Sequence, residues 1–157
     1  MTDLYIDIVA QSIYQQILRT ARRYSLEVYV VTKDYLAAEE NIHLIAVQDD
    51  QVDGGSWIVA NIARGDICVT ADAHLADNCI LRGALALSPT GLQWGADAAA
   101  EDAKRKHFAL PKPLDAGAFA QRLDMVIVAA RAIRSRITHR TGFAESPSPT
   151  MPLEMRS

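Results

Sequence analysis

Along the chain, short apolar runs alternate with amphipathic stretches from the first residues to about residue 87. Leu4 to Ile8 has the length of a buried strand and is interrupted by one carboxylate, Asp7. Gln11 to Tyr24 puts Ile13, Ile17, Leu18, Ala21 and Tyr24 on one face and gathers Arg19, Arg22 and Arg23 toward its end. That pattern predicts a helix with basic residues where they suit the dipole. Glu27 to Thr32 carries the β-branched and aromatic run V-Y-V-V and predicts a second strand; His43 to Val47 predicts a third. An acidic, glycine-containing segment then leads into a helix marked by Trp57, Ile58, Asn61 and Ile62, with Asp53 or Ser56 as its cap.

The stretch Gly65 to Leu87 packs a complete unit into one window. A turn at Arg64-Gly65-Asp66 precedes the apolar run Ile67 to Val69, which stops at Thr70-Ala71-Asp72. Leu75, Ala76, Cys79 and Ile80 then line one helix face, and Gly83 ends that helix before a second apolar run, Ala84 to Leu87. Beyond it the pattern loosens. Ser88-Pro89-Thr90-Gly91 signals a turn, and Leu92 to His107 reads as a loop and a weak helix. Pro111-Lys112-Pro113 breaks the chain before a helix from Asp115 to about Ser135, whose stripe is Phe119, Leu123, Val126, Ile127, Ala130 and Ile133. From Arg136 the share of Ser, Pro and Thr rises, which predicts a flexible tail over residues 136–157 after a domain spanning residues 1–135.

Strands alternating with helices make an α/β fold the expectation: one domain, three layers of αβα type, around a mostly parallel sheet. Ligands in such sheets sit beyond the carboxyl ends of the strands, and Asp72 stands at one such end. The 157 residues, half of them apolar, suffice for a single core. A net charge of −3 neither names nor excludes a nucleic-acid partner. The start of the chain lacks a charged-then-apolar leader and no apolar run is long enough to cross a bilayer, so a cytoplasmic protein without membrane contact is expected. Cys68 and Cys79 fit no metal spacing and read as small core residues in a reducing compartment.

The candidate chemistry lies in the carboxylates. Asp7 and Asp72 come from the ends of two different strands, and Asp53 from a loop near a third. Converging carboxylates repel, and a hard divalent cation such as Mg²⁺ or Mn²⁺ relieves this and can activate water for attack on a phosphodiester. Each aspartate also has a structural explanation: Asp7 as a carboxylate satisfied by backbone donors, Asp53 and Asp72 as helix caps. Of the four histidines, only His74 falls near this end of the sheet.

The window G-D-I-C-V-T-A-D-A-H-L-A, with R-G-A-L-A-L-S-P-T-G behind it, resembles the YaiI/YqxD family, small bacterial proteins regarded as relatives of PIN-domain nucleases. The matching positions are Gly65, Asp66, Thr70, Asp72, Gly83, Ala84, Pro89 and Gly91. The opening L-Y-I-D-I-V-A-Q-S brings Asp7 and Ala10 into register, Asp53 and Trp57 occupy matching places, and Asp115, Phe119 and Leu123 resemble the terminal helix. The similarity covers most of residues 3–130 and is most specific in the central window. It implies a PIN-like fold and a Mg²⁺- or Mn²⁺-dependent ribonuclease-type phosphodiesterase, with Asp7, Asp53 and Asp72 as catalytic metal ligands and RNA as substrate. The chain departs from the family pattern at Val9, Gln11, Ser12, Gln15, Gln16, Ser56 and Thr90, and most of these changes remove charge from the same pocket. Those departures support an alternative, a non-catalytic binding or dimerisation module, which implies a homodimer. A likeness to receiver domains of response regulators, through Thr70-Ala71, Gly83-Ala84 and Lys112-Pro113, is the minor alternative. The distance from Gly83 to Lys112 is too long for it.

Overall fold

Four hydrophobic strands in the interior of the sheet carry side chains that need cover on both faces, and the architecture follows from that demand. The computed structural model describes residues 2–7, 11–32, 41–46, 54–106 and 116–145. In chain order the elements are β1 (Asp3–Ile6), α1 (Gln11–Tyr24), β2 (Glu27–Thr32), β3 (Ile42–Ala46), α2 (Gly54–Asn61), β4 (Ile67–Val69), α3 (Ala73–Leu81), β5 (Leu85–Leu87), β6 (Gln93–Trp94), α4 (Ala98–Lys106) and α5 (Ala116–Glu145). The sheet order is β3-β2-β1-β4-β5-β6. Five strands run parallel, and β6 closes one edge antiparallel to β5. The fold is mixed α/β with three layers, as the alternating pattern predicts.

Alternate residues of each strand face opposite layers. Leu4 and Ile6 of β1, Val28 and Val30 of β2 and Ile67 and Val69 of β4 pack with Ile13, Ile17 and Leu18 of α1 and Phe119, Leu123 and Ile127 of α5. On the other face Tyr5, Val31 and Cys68 meet Ile58 of α2, Ile62 just beyond it, and Leu75 and Cys79 of α3. Here β1, β2 and β3 also set Tyr5, Tyr29 and His43 side by side in register, with ring centroids 5.0 and 4.7 Å apart. A smaller cluster joins Ala76 of α3, Ala86 of β5, Trp94 of β6 and Ala100 of α4. No helix among the described residues is long and apolar enough to cross a membrane.

Two elements differ from the sequence reading. The strand β6 lies where only a loop is expected, because two residues cannot display a period. The helix α5 continues through Glu145, ten residues past the expected end at Ser135. The composition shift at Arg136 marks where the apolar stripe ends; the polar residues that follow still support intrahelical hydrogen bonds. Gly54, Gly55 and Ser56 form the first turn of α2, so Ser56 is not its cap. Ile8, Asp53, His107, the Pro111-Lys112-Pro113 break and the tail from residue 146 lie outside the described residues.

Candidate functional site at the carboxyl edge of the sheet

Connections leave β1 in opposite directions: β2 and β3 follow on one side, β4, β5 and β6 on the other. The crevice between β1 and β4 is therefore the point where the winding reverses, the usual ligand position in an open α/β sheet. Asp7 follows β1 directly, and its backbone N–H donates to the Val69 carbonyl at 3.0 Å, so Asp7 sits beside the end of β4. Thr70 and Asp72 follow β4. The structure thus brings Asp7 and Asp72 to one rim.

A single buried hydroxyl ties them together. Thr70 is fully buried, and its Oγ1 accepts from the Asp72 backbone N–H at 2.9 Å. Its one proton is directed to Asp7 Oδ2, also 2.9 Å away. Thr70 is fixed in turn by its neighbours. Its N–H donates to the Leu87 carbonyl of β5 at 3.0 Å, and its carbonyl accepts from the buried indole Nε1 of Trp94 at 2.9 Å. On the far side of β5, the buried Ser88 and Thr90 hydroxyls share a 2.6 Å hydrogen bond, and Ser88 Oγ also accepts from the Leu92 N–H.

Asp72 also has a structural task. It is the N-cap of α3, in extended conformation, and its Oδ1 accepts from the His74 and Leu75 N–H groups at 2.9 and 3.3 Å. That leaves Asp72 Oδ2 and Asp7 Oδ1 as carboxylate oxygens without a hydrogen-bond partner among the described residues. Neither acid forms an ion pair there with a basic side chain. The two charges also act on what lies beneath them. The Cys68 thiol is pushed well up by its hydrogen bond to Cys79 and its burial, and the fields of Asp7 and Asp72 add to this. His74 is exposed, with its ring against Asn78 at 3.4 Å, so it does not join the carboxylates.

These donors suit a hard cation that keeps most of its water. Mg²⁺ is commonly held by one or two carboxylates while substrate phosphates and water complete its octahedron, and Asp7 and Asp72 present that set. Among the described residues no group of three or more His, Cys, Asp or Glu forms a closed metal cage. Asp53 falls outside those residues.

Sequence reasoning did not identify Thr70, Trp94 or the Ser88–Thr90 pair as builders of this rim. The available signal was Thr70-Ala71-Asp72 at a strand end, since a Thr hydroxyl readily bonds the backbone N–H two residues on. Asp66, conspicuous in the same motif, belongs to the opposite edge. It is buried and accepts from the Asp3 N–H (3.1 Å), the Ala63 N–H (2.9 Å) and Arg134 of α5 (3.3 Å).

Residues 5–111 match the family model described as uncharacterised, YaiI/YqxD family. A UPF0178 protein of Azorhizobium caulinodans is 34% identical over 90 residues, which are 56% of this chain and 57% of that relative. The corresponding protein of Rhodospirillum centenum is 33% identical over 96 residues, 60% of this chain and 62% of its own length. With these two the match spans about three fifths of the relative; with a UPF0178 protein of Caulobacter sp. strain K31 it is 30% identical over 152 residues, 85% of this chain and 99% of the relative. With the central window and the carboxyl ends of β1 and β4 all inside the matched residues, the chain belongs to the YaiI/YqxD family.

Proposed function

We propose that the protein is a Mg²⁺- or Mn²⁺-dependent phosphodiesterase of PIN-like type acting on RNA, with Asp7 and Asp72 as ligands and Asp53 as the third acid. The observation that supports it most is the Thr70 bridge, which joins the Asp7 carboxylate to the Asp72 backbone N–H at the switch point; each acid keeps one uncommitted oxygen, and no basic side chain neutralises either among the described residues. A bound divalent ion would supply a lowered pKa for water and charge stabilisation at the phosphoryl oxygens. The chain's own residues hold the geometry. Thr70 directs its proton to Asp7 Oδ2, which leaves the other oxygen uncommitted, and the α3 N-terminus fixes Asp72 through Oδ1. The test is cleavage of end-labelled RNA with and without Mn²⁺. Asp72→Asn is the informative variant because Asn caps helices as well as Asp while removing the charge. Divalent-dependent cleavage that disappears in Asp72→Asn is the expected result; equal cleavage by both proteins removes the proposal.

A second reading, a non-catalytic binding module, draws on two specific observations. The capping role of Asp72 accounts for that residue without a metal, and Thr90 is closed into a buried pair with Ser88 rather than presented to a ligand. This reading requires that Mn²⁺ not bind at Asp7 and Asp72.

A further inference from the structure

The other edge of the sheet has the opposite charge. Helices α1 and α5 form one layer and contain eight of the chain's sixteen cationic residues, all arginine, but two of its nineteen acids. At the amino edge Arg22, Arg23, Arg131 and Arg134 of these helices join Arg64 and Arg82 in a contiguous band. Arg23 and Arg131 lie over the Tyr24 ring, 5.3 and 5.1 Å from its centroid. Less than a turn further along α5, Arg134 packs over Gly65, and the adjoining Arg64 side chain lies against Gly83, beside Arg82. Arg82 Nε donates to the Ile62 carbonyl at 3.0 Å, which holds it at this edge. Arg22, Arg23, Arg64, Arg82, Arg131 and Arg136 are all exposed.

Helix-dipole compensation does not account for the band. It explains Arg22 and Arg23 in the last turn of α1 and Arg82 at the C-cap of α3, yet Arg64 lies in a turn between elements, and α5 runs on to Glu145 with no basic residue in its last turn, so Arg131 and Arg134 are not placed by it. Among the described residues the acids of this edge are largely committed: Asp66 is buried under Arg134, Asp124 pairs with Arg23, and Glu27 is bonded to His43; Asp3 is half-buried. Arg64, Arg82, Arg131 and Arg136 form no ion pair among the described residues.

We infer that this arginine band is a docking surface for the phosphate backbone of single-stranded nucleic acid, separate from the carboxylate rim. The band crosses all three layers, from α1 and α5 over the start of β4 to the end of α3, so it presents a line rather than a flat patch. A line of cations fits a linear polyanion. Guanidinium is also the side-chain group suited to phosphate oxygens, because its planar fork donates two parallel hydrogen bonds. Stacking on Tyr24 holds two of these forks in place.

The test uses the full chain in EDTA, so that no cleavage intervenes, and fluorescence anisotropy of a fluorescein-labelled oligouridine of about 20 nucleotides, a length sufficient for one binding site. Binding should weaken with KCl with a log–log slope of about −3, the value for four neutralised phosphates on a single strand. Arg64→Glu combined with Arg131→Glu should reduce affinity about tenfold or more, and the corresponding Lys pair should retain most of it. Arg105→Glu on α4, a charge reversal on another face, should change affinity by about twofold or less. Circular dichroism melting establishes that each variant folds; if the double reversal does not, Arg64→Gln should still show a smaller loss and a shallower salt slope. Four results overturn the inference: no binding by the wild type, unchanged binding by the band variants, an equal loss in Arg105→Glu, or binding to phosphatidylserine vesicles but not to the oligonucleotide. The inference stands apart from the phosphodiesterase reading, since absent divalent-dependent cleavage with intact band binding would remove that reading alone.

Discussion

Replacing Thr70 with Val removes one oxygen and leaves a side chain of nearly the same shape, so the change isolates the hydroxyl. In the wild type that oxygen donates to Asp7 Oδ2 and accepts from the Asp72 N–H, each at 2.9 Å, in a fully buried residue. Losing a hydrogen bond to a charged acceptor costs roughly 1.5–3 kcal/mol, and leaving the Asp72 N–H without its acceptor adds roughly 1 kcal/mol because that residue is exposed. Thr70→Val should therefore lower unfolding free energy by about 3 kcal/mol. Thr70→Ser keeps both bonds and loses a buried methyl, for about 1 kcal/mol. Urea titration followed by tryptophan fluorescence reports both values, and Trp94 is well placed as a probe because its indole bonds the Thr70 carbonyl. A Thr70→Val protein within about 0.5 kcal/mol of wild type, or a Ser variant as unstable as the Val variant, would refute the bridge as a stabilising link.

Three further outcomes follow from other contacts. Asp66→Ala should destabilise by about 3 kcal/mol or more in urea, because it leaves two backbone donors unpaired and removes the buried carboxylate that Arg134 contacts. Trp94→Phe should cost about 1–2 kcal/mol through the lost bond to the Thr70 carbonyl, read by urea unfolding monitored by far-ultraviolet circular dichroism. Burial and the nearby Asp66 raise the Asp3 carboxyl above its ordinary value of 3.8, so the folded state holds that proton more tightly than the unfolded chain. Wild-type stability is thereby lowered as pH rises through that window, and Asp3→Asn should melt higher than wild type at pH 7, with the advantage gone below about pH 3.8.

Much of the fold is legible because burial on two faces writes itself into composition. The run Glu27 to Thr32 and the helix Gln11 to Tyr24 appear with the bounds the pattern gives, and Ile67 to Val69 is β4 to the residue. The end of α5 is not legible, since packing needs apolar side chains and helix hydrogen bonding does not. The rim divides in the same way. Asp7 and Asp72 are readable as strand-end acids that meet once the sheet order is known. Thr70 is harder to read: its importance lies in a buried hydroxyl that touches a residue 63 positions away. Arginines 64, 82 and 131 are isolated charges along the chain and form a band only when the amino edge is assembled.

The claim that Asp7 and Asp72 together form a cation site is tested most directly by titrating Mn²⁺ into the wild type, Asp7→Asn and Asp72→Asn in a calorimeter. Both variants can keep their hydrogen bonds to Thr70 and to the α3 N-terminus, so the loss of charge is the main change. The account predicts one ion per wild-type chain and binding about tenfold or more weaker in each variant. No heat with the wild type, or the same affinity in all three proteins, would contradict it.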